Sequence, residues 1–141
     1  MFLMKTNLRH RSHSVGQNAF HLVWKPKYAS SFLRFKEVNL VCIGAINLVS
    51  YQYKMQIYEL QVMADHIHLF VELPPTICVS KALQLFKGIS SRILRRRFTF
   101  LNKIPMIWSR GKFFRSVGNV SFDTIKRYIA ESQGEWKFAE T

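Results

Sequence analysis

Apolar and polar positions along this chain change period several times, and each change marks an element. Ala19-Phe20-His21-Leu22-Val23-Trp24-Lys25 is a β-prone run closed by Pro26, which cannot continue a ladder on both sides. From Phe35 to Ser50, Val38, Val41, Cys42, Ala45, Leu48 and Val49 recur at helical spacing and predict an amphipathic helix. Strand character returns over Lys54 to Met63 and His66 to Leu73. Only Ala64 and Asp65 separate the two, which predicts a tight hairpin, and Pro74-Pro75 ends the second. Ser80 to Phe98 reads as a second helix with Val79, Leu83, Phe86, Ser90, Ile93 and Leu94 on its buried stripe. An irregular segment, Leu101 to Arg110, contains Pro105 and a Trp108 expected to be exposed. Lys112 to Val117 is a short strand, Gly118-Asn119 a turn, and Ser121 caps a last helix running to Gly134. The order is strand, helix, strand, strand, helix, strand, helix. Its first six elements match the split βαβ arrangement, so the expected fold is α+β, ferredoxin-like (RRM-like), with an antiparallel sheet and an additional C-terminal helix.

Length fits one domain over residues 1–141, and 48% hydrophobic with 14% aromatic residues suffices for a core. Charge changes the picture more. Twenty-one Lys and Arg against 8 Asp and Glu give +13, which points to a polyanionic partner. Nucleic acid outranks membrane, because basic residues are spread along the chain among aromatics instead of forming one amphipathic basic helix. The densest positive run is Arg92-Ile93-Leu94-Arg95-Arg96-Arg97. Arg92, Arg95, Arg96, Lys112 and Arg115 are the candidates for nucleic-acid contact. The lead over residues 1–17 is polar and basic, either a disordered tail or an arm against nucleic acid. Cys42 and Cys78 lie far apart with no Cys-x-x-Cys pair, so two reduced core thiols are expected. No stretch has the apolar length of a secretory signal or membrane span, so a soluble, cytoplasmic protein without a membrane partner is expected.

Candidate chemistry concentrates in Met63-Ala64-Asp65-His66-Ile67-His68-Leu69-Phe70-Val71. Residues two apart on a strand share a face, so His66 and His68 can ligate one divalent metal ion. An isolated His-x-His is more often a surface pair. Tyr128, in Ile125-Lys126-Arg127-Tyr128-Ile129, either extends the packing stripe of Ile125 and Ile129 or acts as a nucleophile. With an ordinary pKa of about 10, a tyrosine nucleophile needs the cationic setting that Lys126 and Arg127 offer.

Taken together these residues resemble a known family. Phe20 to Tyr28 is similar to the first-strand motif of the IS200/IS605-type single-tyrosine transposases, a group of the His-hydrophobic-His endonucleases. Met63 to Val71 resembles their metal-binding strand, with Ala64 where proline is commoner. Phe86-Lys87-Gly88-Ile89-Ser90-Ser91 resembles their long-helix signature, Trp108 to Gly118 their final strand, and Tyr128 falls at the nucleophile's place.

The resemblance implies a homodimeric, nucleoid-associated prokaryotic transposase that binds hairpins at insertion-element ends and cuts and rejoins single-stranded DNA. It implies that His66 and His68 hold Mg²⁺ or Mn²⁺, that Tyr128 forms a 5′-phosphotyrosine, and that active sites are shared between subunits. The family's third ligand is a glutamine four residues after the tyrosine. Here Ser132 holds that place and Gln133 follows it. A π-bulge would return Gln133 to the site; Glu131 and Glu135 are the alternatives. Two other functions compete: a relaxase or replication nickase of the same chemistry, and a non-catalytic single-stranded nucleic-acid binder built on the same sheet. The second would want paired aromatics on central strands, and no such block is present.

Overall fold

The computed structural model describes residues 18–111 and 113–118. The last helix with Tyr128 and Gln133, the basic lead over 1–17, and Lys112 lie outside the described residues. Four strands form one antiparallel sheet: β1 (Ala19–Trp24), β2 (Gln56–Val62), β3 (Ile67–Glu72) and β4 (Phe113–Gly118), in the order β2-β3-β1-β4. Two helices, α1 (Lys36–Gln52) and α2 (Val79–Arg97), complete the expected βαββαβ succession.

Alternation along the strands divides the sheet into two chemically different faces. Leu22 and Trp24 of β1, Ile57 and Leu60 of β2, and Ile67, Leu69 and Val71 of β3 belong to the hydrophobic core. From the helices, Val38, Cys42, Ile46 and Val49 of α1 and Ala82, Leu83, Phe86 and Leu94 of α2 join them. The opposite face carries His21, His68, Phe70 and Glu72, which pairing places side by side: His21 stands opposite Phe70, and Val23 opposite His68. A register shift between Ile57 and Glu59 brings the Tyr58 hydroxyl to donate to the Glu72 carboxylate on this face.

Local chemistry explains the boundaries. Glu37 in the first turn of α1 and Arg95, Arg96 and Arg97 in the last turn of α2 suit the helix dipoles. The Asn39 amide donates to the carbonyls of Leu33 (3.1 Å) and Val62 (2.7 Å), pinning the start of α1 to the end of β2. Lys54 takes φ 58°, so the second strand begins at Gln56 and not at Lys54. The hairpin closes as expected, with the Met63 amide donating to the His66 carbonyl at 2.8 Å across Ala64 and Asp65.

Three expectations need correcting. Trp108 is buried, at 4% exposure, because it forms an antiparallel bridge with Pro26 that prolongs the sheet beyond β1. The Lys27 amide donates to Ile107 (2.7 Å) and the Ser109 amide to Lys25 (2.8 Å), fixing that bridge. Cys42 is a core thiol but Cys78 is exposed, since it sits in extended backbone just before α2. On α1 the buried stripe includes Ile46, while Leu48 stays exposed; on α2, Val79 and Ile93 are only half-buried.

Candidate active site

β3 is a central strand, and its neighbours bury its polar face as completely as its apolar one. His66 and His68 are 1% and 0% exposed. His66 immediately precedes the strand, and its Nδ1–H donates to the Asp65 carboxylate at 3.0 Å. That bond assigns the lone pair to Nε2, the arrangement by which a carboxylate orients a ligating imidazole. Asp65 itself is exposed at the hairpin turn.

His21, which sequence reasoning quoted only as part of a motif, joins the pair. Its ring lies 4.2 Å from that of His68, centroid to centroid. The register explains the approach, because His21 pairs with Phe70 and so stands diagonally across from His68. Phe113 of β4 meets the other side of His21 edge-on at 6.0 Å, and Arg115 is its partner on that strand. Period-two alternation in β1 is the signal that would have found His21, since it stands out of phase with core residues Leu22 and Trp24.

Electrostatics keep His21 and His68 neutral. Burial, reinforced by the charges of His21 and His66, lowers the His68 pKa to about 2. Burial and then the Arg115 guanidinium lower that of His21 to about 4. A neutral imidazole has the lone pair that a metal ion requires. Among the described residues no group of three or more His, Cys, Asp or Glu is gathered for metal binding, so the described part of the site is a histidine pair.

Of the candidate DNA-contacting residues, Arg92, Arg96 and Arg115 are exposed. Arg95 is half-buried and donates to the carbonyls of Leu101 (3.1 Å) and Pro105 (3.0 Å), bracing the segment after α2. That segment forms one wall of a groove of about 750 Å³ against α2, lined in part by Lys87, Arg95 and Arg110. Lys87 reaches across it to the Ser109 carbonyl at 2.7 Å. No described helix is long and apolar enough to cross a membrane.

Known proteins agree with this architecture. A crystal structure of a protein assigned as a transposase from Deinococcus radiodurans R1 superposes with a TM-score of 0.67 at 23% identity, covering 84% of this chain and 93% of that one. A second, of a REP-associated tyrosine transposase bound to a REP hairpin, gives 0.53 at 17% identity, covering 83% of this chain and 63% of that one. At these identities the likeness is one of fold. Sequence carries it further. The transposases of insertion sequence element IS200 from Salmonella typhimurium and Salmonella typhi are each 30% identical over 133 residues, 92% of this chain and 86% of theirs. The family described as "Transposase IS200 like" matches residues 14–132, a span that takes in the histidine pair and Tyr128, and this chain belongs to it.

Proposed function

We propose that this transposase cleaves and rejoins single-stranded DNA beside hairpins at the ends of an insertion element, with Tyr128 as nucleophile. The observation that carries the reading is the buried His66–His68 pair with Asp65 behind it, on a chain that belongs to the IS200-like transposases. The Tyr128 oxygen attacks phosphorus, the bond to the 3′ oxygen breaks, and that oxygen leaves as a free 3′-hydroxyl. One phosphoester replaces another, so a different 3′-hydroxyl can reverse the step and join new ends without ATP. Lys126 and Arg127, beside Tyr128 in sequence, favour its phenolate.

The donor set fits a divalent ion: two buried imidazoles, one held in its tautomer by a carboxylate. His66 and His68, with Gln133 as the third ligand, would hold Mg²⁺ or Mn²⁺. Bound there, the ion would stabilise negative charge on the scissile phosphate oxygens. Arg92, Arg95, Arg96, Lys112 and Arg115 contribute positive charge along the DNA path. Recognition of a hairpin draws support from the fold's likeness to a transposase that was solved on one. A homodimer sharing its active sites between subunits is part of the same reading.

The deciding experiment incubates single-stranded DNA spanning the gene's flanks, labelled at the 3′ end, with protein and Mn²⁺ or Mg²⁺ on a denaturing gel. Label moves to protein size with the wild type and metal, and with neither Tyr128→Phe nor His66→Ala. DNA binding without an adduct under any ion would leave a binding module in its place. Gln133→Ala abolishes the adduct and weakens Mn²⁺ binding; unchanged values for both would transfer the third-ligand role to another residue.

A further inference from the structure

The helix layer carries an aromatic cluster that the histidine site does not use. Phe35 precedes α1, while Phe98 and Phe100 follow α2, and the fold brings them together. The Phe35 and Phe100 rings meet edge-to-face at 6.2 Å and 82°, and Phe98 lies 6.2 Å from Phe100. Phe35 and Phe100 are each 45% exposed. Between them and Val38 opens a hollow of about 470 Å³.

Cations frame it. The Arg34 guanidinium stacks over Phe35 at 4.3 Å and is held there by a 2.7 Å bond to the Ser31 hydroxyl. Arg97 lies 5.9 Å from the Phe98 ring, and Lys36 forms part of the rim with a single acid, Glu37. Exposed rings that already hold guanidinium groups match a ligand with both a flat π-face and a negative charge. Unpaired nucleotides have both. A purely apolar partner would leave Arg34 and Lys36 without a counterpart.

Position strengthens the assignment. Asn39, one turn into α1, bonds the carbonyl of Val62 at the hairpin that presents His66, so the cluster lies at the same end of the sheet as the histidine pair, on the helix side, and a strand reaching both passes around that end. We propose that Phe35, Phe98 and Phe100, with Arg34, Lys36 and Arg97, form a stacking platform for unpaired bases of a single strand that also passes the histidine site. This rests on the DNA-processing reading above.

The test is fluorescence anisotropy of the full chain with a labelled oligothymidylate and with an abasic strand of equal length. The Phe35→Ala/Phe100→Ala pair weakens oligothymidylate binding at least about fivefold and leaves the abasic strand unaffected, because only bases stack. The Phe35→Tyr/Phe100→Tyr pair restores wild-type affinity. Should the alanine pair fail to fold, Phe100→Leu keeps the hydrophobic cover, removes the aromatic face and makes the same comparison. Equal weakening on both strands overturns the proposal. So does unchanged affinity with altered self-association in sedimentation, which would mark the hollow as a protein interface. Loss of adduct formation with the stacking contrast intact would sink the cleavage chemistry alone.

Discussion

The Trp108 indole N–H donates to the Ser90 hydroxyl at 3.0 Å, with both side chains buried. Around this bond, three of the motif blocks meet. Trp24 stacks on Phe86 at 5.9 Å, Trp108 stands edge-on to Trp24 at 6.2 Å, and Lys87 reaches Ser109. The block resembling the family's long-helix signature therefore has a structural duty, which is to fix the segment leading into β4.

Ser90→Ala removes the acceptor and leaves a buried indole N–H unsatisfied, which costs about 1–3 kcal/mol. Urea unfolding followed by Trp fluorescence measures it. Ser91→Ala, one residue on and only half-buried, is the control and stays within about 0.5 kcal/mol of wild type. Equal effects of the two substitutions would remove any special role from the Ser90–Trp108 bond.

The arginines of α2 separate by what their side chains hold. Arg92 and Arg96 are exposed, whereas Arg95 donates to the Leu101 and Pro105 carbonyls. Arg92→Ala and Arg96→Ala each reduce the slope of log affinity against log salt for single-stranded DNA by about 0.7, with no change in melting temperature. Arg95→Ala lowers the melting temperature as well, because two carbonyls lose their donor. A melting temperature unchanged in Arg95→Ala would show that the bracing contributes nothing.

Most of the element order was legible because strand alternation and helical spacing depend only on which face is buried. The βαββαβ order and the Ala64-Asp65 turn follow from that rule, whereas the burial of His66 and His68 comes from the strands that flank β3 on both sides. What was not legible depends on register between distant segments. Trp108 was expected at the surface since nothing local to Leu101–Arg110 shows that Pro26 bridges to it. Alternation in β1 puts His21 on the face away from the core, but its place beside His68 comes from the β1–β3 register. The Phe35–Phe100 contact depends on the same kind of pairing, since the fold brings together one residue before α1 and one after α2.

The two thiols differ sharply in environment. Cys78 is exposed, and a hydrogen bond from the Ser80 hydroxyl lowers its pKa, which favours the thiolate. Cys42 is fully buried, and burial pushes its pKa up to about 12. Ellman's reagent therefore titrates Cys78 alone in the native protein and both thiols in denaturant. The sign for stability follows. With a folded pKa above the ordinary 9.0, the Cys42 contribution is complete below pH 9 and is lost as pH rises toward 12. The stability difference between wild type and Cys42→Ala accordingly shrinks across that window, and a difference independent of pH would contradict the assignment.

Asp65 offers the cleanest separation of metal holding from folding. It is exposed at a two-residue turn, so its replacement disturbs no packing, yet its carboxylate accepts from the Nδ1–H of buried His66. In Asp65→Asn the neutral amide can still accept that bond but no longer raises the basicity of the imidazole. Loss of such a carboxylate partner typically costs 10–100-fold in metal affinity. We expect Mn²⁺ binding, read by calorimetry or by the paramagnetic resonance of free Mn²⁺, to weaken by about that factor. Urea unfolding in the presence of a chelator should be unchanged. His68→Ala should abolish the binding outright, giving the series a lower bound. If Asp65→Asn binds Mn²⁺ as the wild type does while His68→Ala does not, the Asp65 carboxylate contributes nothing to metal holding through His66.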